Sequence, residues 1–332
     1  MLENGIIRRS TIPWRFPAVF TAKKTGELCI CVDYRELNKL SKKDAYPLPL
    51  PEVQDRIGGA TVFSTLDLNS SFWQLPICEK TAFSPGPGMG LYEFVRIPFG
   101  LAGGPSSFQR MMDHVLDGLP FTMVYLDDIL VFSRDMTAHH RHLTEVFRRL
   151  LDNGLTLRGS KCIAVSQIHY LGHAFSACGM APDQYKVEAV TQFERPTNAK
   201  QLRQFLGSAS YYRRYVKDFA TISAPLNALL EKDSCFNWNS AAQKAFQQLK
   251  DHLTTAPVLA SPCFQREFTL FTDASDKGLG AVLEQDGKVI AYASRVLRRG
   301  EKNFRTIEKE CLAIVFATKT FRHYVLAKHF TL

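Results

Sequence analysis

The chain has 332 residues, of which 45% are hydrophobic, so it can form two or three folded domains rather than one core. Its formal net charge of +9 favours a polyanionic partner. No apolar run approaches the roughly 20 residues that span a bilayer, so we expect no membrane segment.

The eight cysteines are scattered and form no C-x-x-C pair, which argues against a zinc site. No secretory signal peptide is recognisable, which argues against a disulfide framework. We therefore expect an intracellular protein with reduced thiols. The sequence does not distinguish the cytoplasm from the nucleus.

The first 45 residues are basic, and two strand-like runs flank a turn at Thr25-Gly26. Lys23 and Lys24 lie beside this turn, near the tip of a predicted hairpin. Two interpretations remain open: the lysines bind a triphosphate, or they belong to a solvated loop. Residues 46–51 are rich in proline, which predicts an extended linker.

Three carboxylates have strand-like surroundings. Asp67 closes one run, while Asp127 and Asp128 lie between two apolar runs. The second pattern predicts a β-hairpin with adjacent carboxylates at its tip; a solvated turn is the alternative. If all three converge, they can hold two divalent metal ions about 3.5–4 Å apart for an in-line phosphoryl displacement.

Two helices are predicted around this hairpin. The first begins at Ser106 after a segment rich in glycine and proline, and Gly118 marks its end. The second runs from about Thr137 to Asn153. Its predicted inward side chains are Leu143, Val146, Phe147, Leu150 and Leu151. Its first turns carry His139, His140 and His142, which we interpret as solvated surface residues.

Residues 182–260 are predicted to be mostly helical, with one helix from Lys200 to Lys217. At its end Tyr211-Tyr212-Arg213-Arg214-Tyr215 interleaves rings and cations. The rings and cations could stack on and neutralise a nucleic acid. Equally, the tyrosines could pack inward and leave the arginines exposed.

The last seventy or so residues change to predicted strands and then a helix from about Phe304 to Arg322. The expected inward residues of that helix are Ile307, Cys311, Ile314, Val315 and Thr318. Asp273 ends the first strand, and Glu308 and Glu310 flank the helical stripe. These acids suggest a second metal-dependent phosphodiester site.

Together these motifs resemble the polymerase region of a Gypsy-type long-terminal-repeat retrotransposon: a reverse transcriptase followed by ribonuclease H. The resemblance covers essentially the whole chain. The motifs that carry it are Cys31-Val32-Asp33-Tyr34-Arg35-Glu36-Leu37-Asn38, Phe63-Ser64-Thr65-Leu66-Asp67-Leu68, Pro98-Phe99-Gly100-Leu101, Phe108-Gln109-Arg110, Tyr125-Leu126-Asp127-Asp128, Tyr170-Leu171-Gly172-His173, Phe205-Leu206-Gly207, Tyr211-Tyr212-Arg213-Arg214, Thr272-Asp273-Ala274-Ser275 and Glu308-Lys309-Glu310.

The resemblance implies an α+β right-hand polymerase fold, followed by an incomplete ribonuclease H-like α/β domain. The implied boundaries are fingers at 1–45 and 77–98, palm at 46–76 and 99–175, thumb or connection helices at 176–262, and the ribonuclease H-like domain at 263–332. The implied activity is RNA-directed DNA polymerisation. Its partners would be an RNA or DNA template with its primer and deoxynucleoside triphosphates; the oligomeric state is open.

The resemblance also implies a role for each matching residue. Asp67, Asp127 and Asp128 would bind two Mg²⁺, with Mn²⁺ as a substitute, and Lys161 would be the general acid for pyrophosphate. The nucleotide pocket would comprise Lys23, Lys24, Phe72, Gly100 and Gln109, with Phe72 excluding a ribose 2′-hydroxyl. The primer and template contacts would come from Tyr170, Leu171, Gly172, His173, Arg213 and Arg214. Asp273 and Glu310 would be ribonuclease H metal ligands, with Glu308 as the fallback for Glu310.

The chain departs from the family pattern at several places. Cys29 stands where the pattern has arginine, which removes charge-assisted bonds worth roughly 1.5–3 kcal/mol each and predicts nucleotide binding weaker by about tenfold or more. The segment between Pro76 and Thr81 is short, and Gly103-Gly104 replaces an Asn-Ala pair. The family pattern extends beyond both ends, so we expect no ribonuclease H activity from this chain. The alternative function is a decayed or co-opted nucleic-acid-binding remnant without turnover.

Overall fold

The computed structural model describes residues 1–22, 28–42, 44–47, 53–77, 80–231 and 236–332. The chain forms two compact units, Met1–Pro51 with Val62–Val165, and Glu52–Thr61 with Ser166–Leu332. The first unit ends at Val165, earlier than the palm boundary predicted at 175. The predicted primer turn, residues 170–173, therefore belongs to the second unit.

The strands are β1 Ile7–Arg9, β2 Ala18–Ala22, β3 Leu28–Val32, β4 Val62–Asp67, β5 Tyr92–Phe94, β6 Thr122–Tyr125, β7 Asp128–Ser133, β8 Ile163–Val165, β9 Gln167–Tyr170, β10 His173–Ser176, β11 Gly179–Pro182, β12 Phe268–Ala274, β13 Gly278–Gln285, β14 Lys288–Val296 and β15 Phe330–Thr331. The α-helices are α1 Arg35–Leu40, α2 Val53–Ile57, α3 Gly104–Val115, α4 Met136–Asp152, α5 Gln184–Thr191, α6 Ala199–Tyr211, α7 Phe219–Ala228, α8 Ser240–Thr254, α9 Thr306–Thr320 and α10 Arg322–Val325. In the described ranges, no helix is both long and apolar enough to cross a membrane.

The first unit is built on an antiparallel sheet in the order β6-β7-β4-β8. Helices α3 and α4 supply buried apolar residues to its core, among them Phe108, Met112 and Val146, which pack with Leu66 and Ile129 of the sheet. The three- and four-residue spacing along each helix puts these side chains on one face. The same sheet carries all three predicted carboxylates at one end of β4 and β7.

Helix α4 corrects two expectations. Phe147 and Leu151 are 44% and 77% exposed, because a helix face wide enough for five apolar residues exceeds what the sheet covers. His139, expected to be solvated, is 0% exposed. Burial costs little here, since Ser64 Oγ and Ser133 Oγ lie 2.8 Å from its Nε2 and Nδ1, respectively.

The basic N-terminal part of the first unit contains the predicted hairpin, because β2 and β3 pair antiparallel. Strand β1 pairs with β5, and Arg8 forms a salt bridge with the buried Glu93 at 2.6 Å. Lys23, Lys24 and the turn between the paired strands lie outside the described residues.

The second unit contains a β9-β10-β11 sheet and helices α5 to α8. The helix predicted from Lys200 to Lys217 ends earlier, at Tyr211, and a 3₁₀ turn over Arg213–Tyr215 follows it. Strand β11 is joined to the segment after α8 by paired backbone hydrogen bonds of 2.8 Å between Met180 and Leu259.

The last part of the second unit has a four-stranded sheet in the order β14-β13-β12-β15, with α9 packed on it. The inward face of α9 is not the predicted one, because Ile307 and Val315 are 73% and 46% exposed. Instead Ala313 and Ala317 are fully buried. Alanine lets the helix backbone approach the sheet closely, which larger β-branched side chains do not allow.

Candidate active site

The end of the β4–β7 pair opens into a cavity of about 630 Å³ in the first unit. Its lining combines acidic residues, aromatic residues, small polar residues and one arginine. The lining residues are Ile30, Cys31, Val32, Asp67, Leu68, Ser70, Ser71, Trp73, Phe99, Gly100, Asp127 and Arg158. Asp67 and Asp127 therefore share one cavity, as the sequence predicted.

The predicted hairpin is present, with Tyr125 opposite Asp128 and the two residues Leu126 and Asp127 forming its turn. Leu126 has a φ of 55°, a left-handed conformation that costs an L-residue roughly 1–2 kcal/mol. Such strain persists only where neighbouring contacts hold it. Here it presents the Asp127 side chain to the cavity.

Gln109 of α3 supplies the contact that holds this turn. Its Oε1 accepts the Leu126 N–H at 2.7 Å, and its Nε2 donates to the Val124 carbonyl at 3.1 Å and to Asp113 Oδ1 at 2.8 Å. The Tyr46 hydroxyl donates to the other oxygen of Asp113 at 2.6 Å. Gln109 is 0% exposed and is not part of the cavity lining, so the expectation that it lines the nucleotide pocket is corrected: it holds the turn that carries Asp127.

The three carboxylates have different surroundings. Asp67 lies directly across from Asp128 in the strand register. Asp127 accepts a long hydrogen bond of 3.4 Å from the Ser71 hydroxyl. Asp128 is exposed and is not part of the cavity lining. Of the three carboxylates predicted to be catalytic, Asp67 and Asp127 are the two that reach the cavity.

In the part of the chain that the structure describes, no group of three or more His, Cys, Asp or Glu side chains forms a ready metal site. The two carboxylates that share the cavity fit a divalent ion such as Mg²⁺, because Mg²⁺ is commonly held by one or two carboxylates together with substrate phosphates. Asp67 and Asp127 are the residues that would hold it.

The structure places the other residues that were predicted near the nucleotide in different surroundings. Gly100, with a φ of 96°, lines the cavity. The Phe72 ring packs between Phe99 and Phe108, with centroid distances of 5.5 and 5.2 Å, so its gating role stays a prediction. Lys161 ends a 3₁₀ turn that begins at Gly159, and its role as general acid also stays a prediction.

Sequence reasoning missed several lining residues. Phe99 is 61% exposed at the cavity, and its place within the motif Pro98-Phe99-Gly100-Leu101 could have revealed it. Arg158 also lines the cavity, but it lies in no motif. Only the pairing of Leu68 with Leu157 brings it beside Asp67, so topology was needed to find it.

The predicted primer turn lies in the second unit, where the side chains of Tyr170 and His173 are each 4% exposed. The predicted role of this motif in positioning the primer end stays a prediction, and its two buried side chains are not exposed for direct contact. The part of the motif nearer the surface is Leu171 and Gly172, whose φ angles are 48° and 74°. Tyr211 and Tyr212 hold the turn by donating to the carbonyls of Leu171 and Gly172 at 2.5 and 2.9 Å.

His173 is enclosed by the tyrosines of the motif that interleaves rings and cations. Tyr215 Oη lies 2.9 Å from its Nδ1, and the Tyr211 ring stacks on it at 5.3 Å. Burial lowers the pKa of His173 to about 4, and Arg214 adds to the effect. A neutral ring is therefore part of the folded second unit.

In the motif Tyr211-Tyr212-Arg213-Arg214-Tyr215, most of the tyrosine rings pack inward, which is the second of the two interpretations of the sequence. Tyr212 and Tyr215 are 3% and 2% exposed, and Arg213 is exposed while it donates to the Ser294 carbonyl at 2.6 Å. Tyr211 is 47% exposed and keeps an accessible ring. Contact of Arg213 and Arg214 with nucleic acid stays a prediction.

The second predicted metal pair lies in the ribonuclease H-like part. Asp273 is exposed near the end of β12, and Glu310 is partly exposed on α9. Glu308 is not a suitable fallback, because its Oε2 accepts the Arg305 N–H at 2.7 Å and so caps α9.

Two family models of known proteins match this chain, one in its N-terminal half and one near its C-terminal end. Residues 23–175 match the family model described as reverse transcriptase (RNA-dependent DNA polymerase). Residues 238–332 match the RNase H-like domain found in reverse transcriptase.

The chain is 39% identical over 344 residues to the retrovirus-related Pol polyprotein from transposon 297 of Drosophila melanogaster, covering 99% of this chain and 32% of that protein. It is 35% identical over 337 residues to the transposon Tf2-3 polyprotein of Schizosaccharomyces pombe, covering 98% of this chain and 25% of that protein. The chain thus spans about a third or less of these relatives.

Two solved structures share the fold. One is a foamy viral protease-reverse transcriptase dRH in complex with double-stranded DNA, with a TM-score of 0.91 and 24% identity, covering 99% of this chain and 60% of that chain. The other is a foamy viral protease-reverse transcriptase in complex with an RNA/DNA hybrid, with a TM-score of 0.83 and 23% identity, covering 99% of this chain and 46% of that chain.

The fold and the two matched domains define a reverse transcriptase domain followed by an RNase H-like domain. The chain belongs to the reverse transcriptase family, as part of a Gypsy-type retrotransposon Pol region. The predicted resemblance and the predicted right-hand polymerase fold are thereby confirmed. Enzymes of this family use divalent metal ions.

Proposed function

We propose that this chain is an RNA-directed DNA polymerase that extends a primer on an RNA or DNA template with deoxynucleoside triphosphates. The observation that carries the proposal is that Asp67 and Asp127 line one cavity at the end of the β4–β7 pair. Both carboxylates are fixed by the sheet and by the turn that Gln109 holds. The site is therefore organised before substrate binds, as electrostatic catalysis requires.

In this proposal each residue of the cavity has a role that follows from its position. Asp67 and Asp127 present oxygen ligands to the cavity, which suits two Mg²⁺, with Mn²⁺ as a substitute. Bound metal ions would supply acidification of the primer 3′-hydroxyl and neutralisation of the pyrophosphate charge. Phe99 and Trp73 give the cavity an aromatic wall, against which a nucleotide can pack.

The function is tested by primer extension with the full chain on poly(rA) primed with oligo(dT), in Mg²⁺ and dTTP. We expect extension by the wild type and none by Asp127→Asn. Asp117→Asn is a matched control, because Asp117 is exposed and outside the cavity. Failure of a folded wild type to extend any primer would reject the polymerase proposal.

A binding module without turnover is the competing function, and Cys29 in strand β3, where the family pattern has arginine, favours it. Under that proposal primer–template binding is salt-sensitive, Asp127→Asn binds as well as wild type, and neither incorporates nucleotide. Filter binding alongside primer extension separates the two functions.

We also propose that the RNase H-like domain of this chain does not cleave RNA in an RNA–DNA hybrid. The proposal is supported by the engagement of Glu308 in the helix cap, which leaves Asp273 and Glu310 as the acids that match the family pattern. Cleavage of a labelled hybrid by wild type, lost in Asp273→Asn, would overturn it.

A further inference from the structure

Arg158 brings a positive charge into the active-site cavity at a place that no sequence motif marks. Among the described residues that line this cavity, it is the one cation, and it shares the wall with Asp67 and Asp127. Its side chain is exposed rather than packed into the protein. A charged group in this position faces whatever the two carboxylates bind.

The backbone of Arg158 is held firmly beside the catalytic strand. The Arg158 N–H donates to the Asp67 carbonyl at 2.8 Å, directly after the bridge between Leu68 and Leu157. Two residues earlier in the chain, the Thr156 N–H donates to Gln74 Oε1 at 2.8 Å. The guanidinium is therefore carried on the same rigid frame as the Asp67 carboxylate.

The guanidinium also has capacity for a ligand. Among the described residues, the Arg158 side chain takes part in no salt bridge, whereas Arg35, Arg110 and Arg295 each pair with a carboxylate. Arginine keeps its charge at any working pH and offers a planar donor array that matches phosphate oxygens. Carboxylates that recruit divalent metal ions bring phosphate oxygens to the same cavity.

We propose that Arg158 binds the phosphates of the incoming deoxynucleotide and the pyrophosphate that leaves, an inference that rests on the proposed polymerase function. The guanidinium neutralises phosphate charge directly, and metal ions held by Asp67 and Asp127 would neutralise more of it when bound. Arg158 is a substrate-binding residue in this proposal, and it takes no proton from the reaction.

The test compares the full chain with Arg158→Gln, Arg158→Lys and the control Arg141→Gln. Arg141 is exposed on α4, in the same unit but outside the cavity, so its variant loses the same charge elsewhere. At saturating primer–template, we expect Arg158→Gln to raise the KM for dTTP about tenfold and to weaken inhibition by inorganic pyrophosphate about tenfold. Arg158→Lys should recover part of both effects, and Arg141→Gln should match the wild type.

An unchanged KM and unchanged pyrophosphate inhibition in a folded Arg158→Gln variant would overturn the proposal. So would a loss confined to the Kd for primer–template, since that result assigns Arg158 to the nucleic-acid backbone. A second measurement needs no turnover. The primer–template ends in a dideoxynucleotide, and a gel shift in the presence of a competitor trap measures how much of it stays bound to the protein as dTTP is added. We expect Arg158→Gln to need about tenfold more dTTP for half-maximal retention, even if the wild type fails to extend primers.

Discussion

The side-chain oxygen of Gln109 accepts a hydrogen bond of 2.7 Å from the backbone nitrogen of Leu126. This contact joins the buried face of α3 to Leu126, a non-glycine residue that the turn holds at positive φ. Because the turn presents Asp127 to the cavity, Gln109 controls the site without touching it.

Replacing Gln109 with leucine should impair both stability and catalysis. The partly buried Leu126 N–H would lose its acceptor, which costs roughly 1–3 kcal/mol of unfolding free energy. A displaced Asp127 should lower kcat by about 100-fold. Primer extension and urea unfolding measure the two effects. Gln247→Leu, at an exposed position of α8, should change neither, and full activity of Gln109→Leu would contradict the positioning role.

The two adjacent aspartates should differ in importance. Asp127 lines the cavity, whereas Asp128 is exposed and does not. A divalent metal ion held by Asp127 would stabilise the transition state by several kcal/mol, so Asp127→Asn should lower kcat by about 1,000-fold or more. Asp128→Asn should lower it by roughly tenfold, because Asp128 lies across from Asp67 and helps to fix it. Single-turnover incorporation measures both variants, and equal losses would refute the distinction.

Sequence patterns predicted the catalytic hairpin well because its signals are local. The apolar runs on both sides of Asp127-Asp128 are enough to predict the hairpin, and the strand-like run that Asp67 closes is enough to predict the third carboxylate. The role of Gln109 was not predictable from its neighbours, since its partner Leu126 lies across the core on another element. Arg158 was missed for the same reason, because the strand pairing that brings it to Asp67 joins distant segments.

Helix faces were the other source of error. In α4 and α9 the apolar residues cover more of the circumference than the sheet can bury, so periodicity alone could not choose the inward stripe. Phe147 and Ile307 remain exposed, while the small Ala313 and Ala317 face the sheet. Which stripe is buried depends on how closely the backbone can approach, and that is a property of the packed pair.

His173 should make the second unit sensitive to acid. Its pKa in the folded protein is lowered to about 4, from an ordinary value of 6.5, mainly by burial, with Arg214 contributing in the same direction and Asp183 opposing. The unfolded chain therefore binds the proton more tightly. The stabilisation is complete above about pH 6.5 and declines as the pH falls from there toward 4.

Urea unfolding at pH 7.5, 6.0 and 5.0 measures this dependence. Each pH unit within the window should cost up to about 1.4 kcal/mol of unfolding free energy. His173→Gln cannot titrate, so its stability should fall less steeply than that of the wild type. His252→Gln, at an exposed position of α8, should keep the wild-type slope. Equal slopes for wild type and His173→Gln would show that His173 does not govern the effect.

Gly179 should tolerate no side chain. Its φ is 131°, and an added Cβ would lie 2.1 Å from the Leu259 carbonyl oxygen. That carbonyl accepts the Met180 N–H in the bridge between β11 and the segment after α8. Alanine would impose backbone strain of about 1–3 kcal/mol and would separate two paired hydrogen bonds worth roughly 0.5–1.5 kcal/mol each.

We therefore expect Gly179→Ala to lose roughly 2–5 kcal/mol of unfolding free energy, seen as a lower urea midpoint. Gly300→Ala is the matched control, because Gly300 has a φ of −71° and nothing within 4 Å of an added Cβ. It should unfold within about 0.5 kcal/mol of the wild type. A Gly179→Ala variant as stable as Gly300→Ala would mean that the Met180–Leu259 bridge can shift without cost. In that case the close backbone contact between Gly179 of β11 and Leu259 would not contribute to the stability of the second unit.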